Sequence, residues 1–287
     1  MPDIGKCDLA GNQIGITEER KESVEFSEPY YSGGAAVAVY DPDSAKAGGF
    51  LTRLKESLDK TFVREHRYKK FLSGILTTIM ITILSAFFGT IVGFLVFMAC
   101  RKGNRIANGV TRLCIWVIRG LPVVVLLMIL YYIVFASVRV SEIFVPVVAF
   151  TITFGAAVYG MLTSSVGAID RGQTEAARAL GFSDLQTFFG VVMPQALTIF
   201  LPSYKAELVT LIKATAVVGY IAVEDLTRVG DIVRSRTYEA FFPLISVAII
   251  YFLIAGILIF IVNRVELRID PKRRKREDVL KGIKTND

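Results

Sequence analysis

The chain has 287 residues, 53% of them hydrophobic, and a formal net charge of +7. One histidine, His66, leaves no room for His-based catalysis or a multi-histidine metal site, and Cys7, Cys100 and Cys114 show neither CxxC spacing nor a disulfide framework. No GxxxxGK[ST] loop occurs, so the chain is expected to be no enzyme, to hydrolyse no ATP itself and to need no cofactor.

Residues 1–70 and 265–287 carry most of the charge. The chain opens on polar MPDIGKCDLAG, which shows no cleavable signal-peptide pattern. Ser57 and Lys60 make a lone SxxK; without companion motifs it reads as a surface helix. From Phe71 to Cys100 there is no charged side chain, and uncharged runs recur from Gly120 to Val138, Ile143 to Ile169 and Ala240 to Asn263. Crossing a hydrocarbon core of about 30 Å takes about 20 apolar residues, so these runs read as membrane spans. Gly89 and Gly93 form a GxxxG in the first run, suited to close helix packing or to a dimer seam.

A fifth span, SYKAELVTLIKATAVVGYIAV (203–223), holds Glu207 and Lys213. A charge at a helix centre costs roughly 2.5–3.5 kcal/mol, while each Leu or Val returns only about 0.3–0.6. The segment can insert if Lys213 snorkels or faces a bundle interior, where it would line a pathway. Five spans are therefore expected near 71–99, 113–137, 143–168, 204–223 and 240–264.

Lys and Arg between spans set the orientation. Arg101, Lys102 and Arg105 follow the first span, Arg171 and Arg178 follow the third, and the tail from Arg264 is strongly basic. Those segments are expected in the cytoplasm, which puts the N-terminus outside, although KTFVREHRYKK before the first span argues the other way. The positive charge reads as a lipid-headgroup and topology signal, with no nucleic-acid partner.

Between spans three and four lies QTEAARALGFSDLQTFFGVVMPQA, residues 173–196. It reads as two short helices. Ala176, Ala177 and Leu180 share one face of the first, with Glu175 and Arg178 at i, i+3 on the other. Gly181 stands where a helix end wants the left-handed conformation. Ser183 and Gln186 make a capping box for the second helix. Leu185, Phe188, Phe189 and Val192 then form an apolar stripe, Pro194 is expected to end the helix, and Pro202 to open the next span. Such a pair is either a lever that docks into a partner's groove or an interfacial pair packed under its own bundle.

EAARALG with the following VMPQA resembles the EAA loop of binding-protein-dependent ABC importer permeases. IRGLPVVVLLMILYYIVF (118–135), GQTEAARALG (172–181), PQALTIFLPSYKAELVTLIKAT (194–215) and VEDLTRVGDI (223–232) are similar, in that order, to its polar amino-acid branch over residues 60–270. The resemblance implies an all-α membrane protein with the five-transmembrane-helix type I ABC importer permease fold and a cytoplasmic EAA coupling-helix loop. It implies coupling to ABC ATPase subunits through Glu175, Ala176, Ala177, Gly181, Ser183, Leu185, Phe188, Phe189 and Pro194. It further implies a homodimer or a heterodimer with a second permease, and a substrate pathway at Arg119, Pro122, Tyr159, Gly160, Thr163, Lys213 and Thr215. Gly160 and Thr163 stand where the family often has Glu and Arg, Leu126 where Gln is common, and Ala216 where Ser is.

Residues 5–39 are similar to part of a solute-binding protein of the amino-acid class, in which the arginine of ITxxR grips the ligand carboxylate. Thr17 and Arg20 hold that motif here, while Gly15 replaces a usual ligand-contacting serine. The expected organisation is a partial solute-binding-protein-like segment over 1–42, a linker over 43–65, a permease domain over 66–264 and a basic cytoplasmic tail over 265–287. The expected function is a permease subunit of an ABC importer for polar amino acids, in the cell membrane. A membrane-anchored sensor or regulator with a binding-domain remnant is the alternative.

Overall fold

The computed structural model describes residues 55–269 apart from 102, 104, 139 and 238, and leaves out the side chain of Ala107. The segment 1–42, with Thr17 and Arg20, lies outside the described residues, as do most of the linker and the tail beyond 269.

Every regular element among the described residues is helical. We number them α1 (Arg67–Arg101), α2 (Arg105–Gly120), α3 (Val123–Val134), α4 (Phe144–Gly167), α5 (Arg171–Ala179), α6 (Asp184–Ile221), α7 (Leu226–Thr237) and α8 (Phe241–Ile269). Four of them, α1, α4, α6 and α8, are long and apolar enough to cross a membrane; the bent pair of α2 and α3 brings the number to five only where the two are counted as one span.

Two expected span boundaries need correction. The second span is not one helix over 113–137. It turns by 104° between α2 and α3. Pro122 disfavours the helical conformation at Leu121, so α2 stops at Gly120 and Pro122 (φ −58°, ψ 133°) leads into a new helix. The helix that holds the fourth span does not begin near 204; it begins at Asp184 and runs 38 residues to Ile221, longer than a crossing needs. Pro194 does not end a helix and Pro202 does not open one; both lie within α6. A wide turn over Phe188–Val192, with i to i+5 hydrogen bonding, carries the chain into Pro194, whose place in the first turn beyond it tolerates the missing N–H.

The α1–α4 seam depends on the GxxxG glycines, which serve packing inside one chain. A Cβ on Gly89 would sit 3.0 Å from the Phe154 ring, and one on Gly93 would sit 2.6 Å from the Gly155 carbonyl oxygen. Around this seam Ile81, Leu127, Phe150, Val158 and Val218 are fully buried. A second apolar cluster, Phe71, Leu226, Val229, Val233 and Val247, joins the start of α1 to α7 and α8. Asp225 caps α7 there. Its carboxylate accepts from the Thr227 and Arg228 amides and from the Tyr251 hydroxyl, while the Leu226 amide donates to Thr78 Oγ1. Burial pushes the Asp225 carboxyl above the usual carboxylate range, against those hydrogen bonds. By contrast α8 shows much of its surface, with Phe252, Ile257 and Phe260 exposed, as a span facing hydrocarbon would.

Candidate functional site

The stretch between α4 and α6 is built by local rules. Asp170 starts α5 by accepting the Gly172 amide at 2.8 Å. Its end is a Schellman motif: the Gly181 amide donates to Arg178 O and the Phe182 amide to Ala177 O. Gly181 has φ +84°, as its place in the sequence requires. Ser183 and Gln186 then form the expected capping box at the start of α6.

Tertiary contacts assign these side chains differently from the sequence pattern. Arg178 pairs with Asp184 at 2.8 Å across the break, rather than with Glu175 on its own helix. Arg101, at the end of α1, donates to the Asp184 carbonyl, and its guanidinium lies 4.1 Å above the Phe188 ring. Phe97 packs on that ring too, at 6.1 Å between centroids. Phe188 is therefore a core residue, 1% exposed, and its expected place in an open docking stripe is corrected. Val192 and Ala177 are buried as well. The surface left open holds Glu175, Ala176, Ser183 and Pro194, and a run of apolar side chains at the elbow: Leu180, Phe182, Leu185 and Phe189. Sequence reasoning missed Phe182 in this role, although an apolar residue directly after a Schellman glycine was the available signal.

Arg119, at the end of α2, reaches α4. Its Nη2 donates to the Ala156 carbonyl at 3.5 Å and lies where a Cβ on Gly160 would be 2.5 Å away, so glycine at 160 is what lets the guanidinium in. Tyr159 and Thr163 are one turn apart on the same helix, the Thr163 hydroxyl donating to the Tyr159 carbonyl at 2.8 Å. Pro122 is the bend itself. Lys213 and Thr215 are not part of that contact: Lys213 is exposed, and Thr215 is fully buried with its hydroxyl on Ile212 O. Among the described residues no group of three or more His, Cys, Asp or Glu could hold a metal ion.

The sequence reading passed over a third feature. Lys205 Nζ, on α6, lies 2.7 Å from Asn263 Oδ1 and 3.0 Å from Glu266 Oε2, both on α8. Glu266 is 4% exposed and Lys205 half-buried, and the pair ties α6 to α8. Removing Lys205 takes from Glu266 the ammonium that offsets its buried charge, and breaking such a pair costs about 3–5 kcal/mol. Lys205→Met alone is expected to lower the thermal midpoint in detergent, and Lys205→Met with Glu266→Leu to recover most of it. Equal midpoints for the single and double variants would contradict this.

Residues 89–275 match the family described as binding-protein-dependent transport system inner membrane component. The glutamine transport system permease protein GlnP of Escherichia coli (strain K12) is 33% identical over 200 residues, which covers 69% of this chain and 91% of that protein. The probable amino-acid ABC transporter permease protein YckA of Bacillus subtilis (strain 168) is 30% identical over 196 residues, or 68% of this chain and 87% of that one. A crystal structure of an amino acid ABC transporter with histidines superposes at a TM-score of 0.65, with 30% identity, over 77% of this chain and 99% of its own. An inward-facing MetNI methionine ABC transporter shares the fold at a TM-score of 0.61 and 23% identity, over 72% of this chain and 100% of its own.

Proposed function

We propose a coupling role for the α5–α6 elbow on one premise: this chain belongs to the family of binding-protein-dependent transport system inner membrane components. It is a multi-pass inner-membrane protein and a permease subunit of an amino-acid ABC importer. That membership favours the permease over a membrane-anchored sensor, and it implies ATPase and solute-binding partners and a dimeric assembly. Within that frame the elbow faces the cytoplasm, beside Arg101, Arg171 and Arg178, and a separate ATPase chain performs hydrolysis. The cargo is a polar amino acid, a reading supported by the glutamine and amino-acid permeases among its relatives. Arg119 lies on the pathway, where a guanidinium suits an α-carboxylate.

One observation carries the coupling reading: α6 is a single helix from the elbow at Asp184 to Ile221. Its main α-helical part, Met193–Ala214, is 22 residues long, about 33 Å at 1.5 Å rise, with the wide turn Phe188–Val192 joining it to the elbow. A push on Leu185 or Phe189 therefore travels along the same helix that holds Lys205, Lys213 and Thr215. Exposed Leu180, Phe182, Leu185 and Phe189 give a partner groove something to grip.

Leu185→Ala with Phe189→Ala is the test. Buried aromatic and aliphatic anchors each cost more than about 1.4 kcal/mol when truncated, or about tenfold. The double variant is expected to insert normally and to lose ATPase association and substrate-stimulated hydrolysis at least about tenfold. Phe188→Ala should act differently, destabilising the chain by about 3–5 kcal/mol because it empties a packed site. An unmodified hydrolysis rate for the Leu185/Phe189 variant would overturn the assignment.

A further inference from the structure

We propose that α2 is an interfacial helix that binds anionic phospholipid headgroups. From Phe71 to Ser141 the sequence contains no Asp or Glu, while Arg101, Lys102, Arg105, Arg112 and Arg119 crowd around and along α2. Arg105 and Arg112 stand seven residues apart and so share one stripe on the helix, and both are exposed, while Arg119 at its end turns into α4. Val110, Leu113 and Val117 form a second stripe beside it, with exposures of 57%, 61% and 44%. The remaining face, Asn108, Thr111, Ile115 and Ile118, is half-buried against the chain, where Cys100 Sγ donates to Thr111 Oγ1 at 3.2 Å.

Two facts select the occupant. A helix turned by 104° from α3 runs across the direction of α3 rather than along it. Lying across the bilayer edge, it puts its apolar stripe into acyl chains and its arginines among headgroups, the geometry of a surface-bound amphipathic helix. A second copy is the other candidate, but a two-fold contact would set the arginine stripe against its own image, with no Asp or Glu between Phe71 and Ser141 to compensate. Anionic lipid supplies the missing charge. The consequence reaches the elbow, because Arg101, just before α2, holds the Asp184 carbonyl and covers Phe188. Lipid bound at α2 thus steadies the end of α1 on which the coupling arm rests.

Trp116 is the chain's single tryptophan and lies on α2, 74% exposed, so its fluorescence reports this site alone. The full chain is reconstituted in bilayers of phosphatidylcholine and phosphatidylglycerol, with bromine on the acyl chains of one lipid or the other. Brominated phosphatidylglycerol is expected to quench Trp116 several-fold more than brominated phosphatidylcholine at equal mole fraction. Arg105→Gln with Arg112→Gln should lower that preference about tenfold, and Arg105→Lys with Arg112→Lys should keep it. Raising salt on the unmodified protein should weaken it as well, which serves if the glutamine variant fails to insert. Equal quenching by the two lipids, a preference indifferent to salt, or a Trp116 quenched by neither because a protein surface covers it would each overturn the proposal.

Discussion

Replacing Gly181 with valine is expected to uncouple transport from ATP hydrolysis while leaving the spans in the membrane. At φ +84° a β-branched side chain meets its own carbonyl, a strain of about 1–2 kcal/mol or more. The local escape is to abandon positive φ, which breaks the hydrogen bonds from Gly181 to Arg178 and from Phe182 to Ala177. Once these are gone α5 no longer sits at a fixed angle to α6, and Arg178 loses Asp184, its partner across the break. No span touches Gly181, since a Cβ there would meet nothing within 4 Å. The defect is therefore conformational and confined to the elbow. Substrate-stimulated hydrolysis in reconstituted complexes should fall by an order of magnitude or more, if tenfold corresponds to about 1.4 kcal/mol. Gly181→Asn should retain much of the rate, because asparagine tolerates the left-handed region. A valine variant that transports normally would remove the elbow from the coupling route.

Gly93→Leu should do the opposite and damage the fold before the function. A first side-chain atom there would lie 2.6 Å from the Gly155 carbonyl and 2.8 Å from the Val158 Cβ. Both obstacles belong to the facing helix, one of them backbone, so the seam must open. Overpacking a tight core costs about 1–3 kcal/mol, and separating α1 from α4 also exposes Phe154 and Val158. Gly93→Ala should already lower the thermal midpoint in detergent, and Gly93→Leu should reduce the amount of inserted, folded protein. In contrast, alanine at Gly167, where a Cβ meets nothing within 4 Å, should be neutral. If Gly93→Leu were as stable as the unmodified chain and only its oligomeric state changed, the glycines would belong to a dimer seam instead.

Features that depend on neighbours in the chain were legible in the sequence. Four uncharged runs announce spans because a charge in hydrocarbon has nowhere to hide. Gly181 before a Ser-x-x-Gln announces a helix end followed by a helix start, since a Schellman turn and a capping box each close within six residues. The order of the motifs carried the family likeness. The bend at Pro122 was missed, because the apolar run on both sides of it outweighed the proline that was its signal.

What the sequence could not decide is which copy of a repeated residue type meets which neighbour. Phe188 and Phe189 are adjacent and equally apolar, yet one is buried and the other exposed. The choice belongs to Arg101 and Phe97, which arrive from a helix ending some 80 residues earlier. Arg178 had Glu175 at helical spacing and still found Asp184, because the fixed elbow angle brings that carboxylate closer. Lys205 drew no reading from the sequence, because its partners Glu266 and Asn263 come from α8, some 60 residues further on. Hydrogen bonding along the backbone is settled within a few residues, so the sequence by itself determined the apolar runs and the Gly181–Ser183 stop and start. Side-chain partners across helices are settled by distances of a few ångströms between segments far apart in the chain, and only the packed bundle decides those.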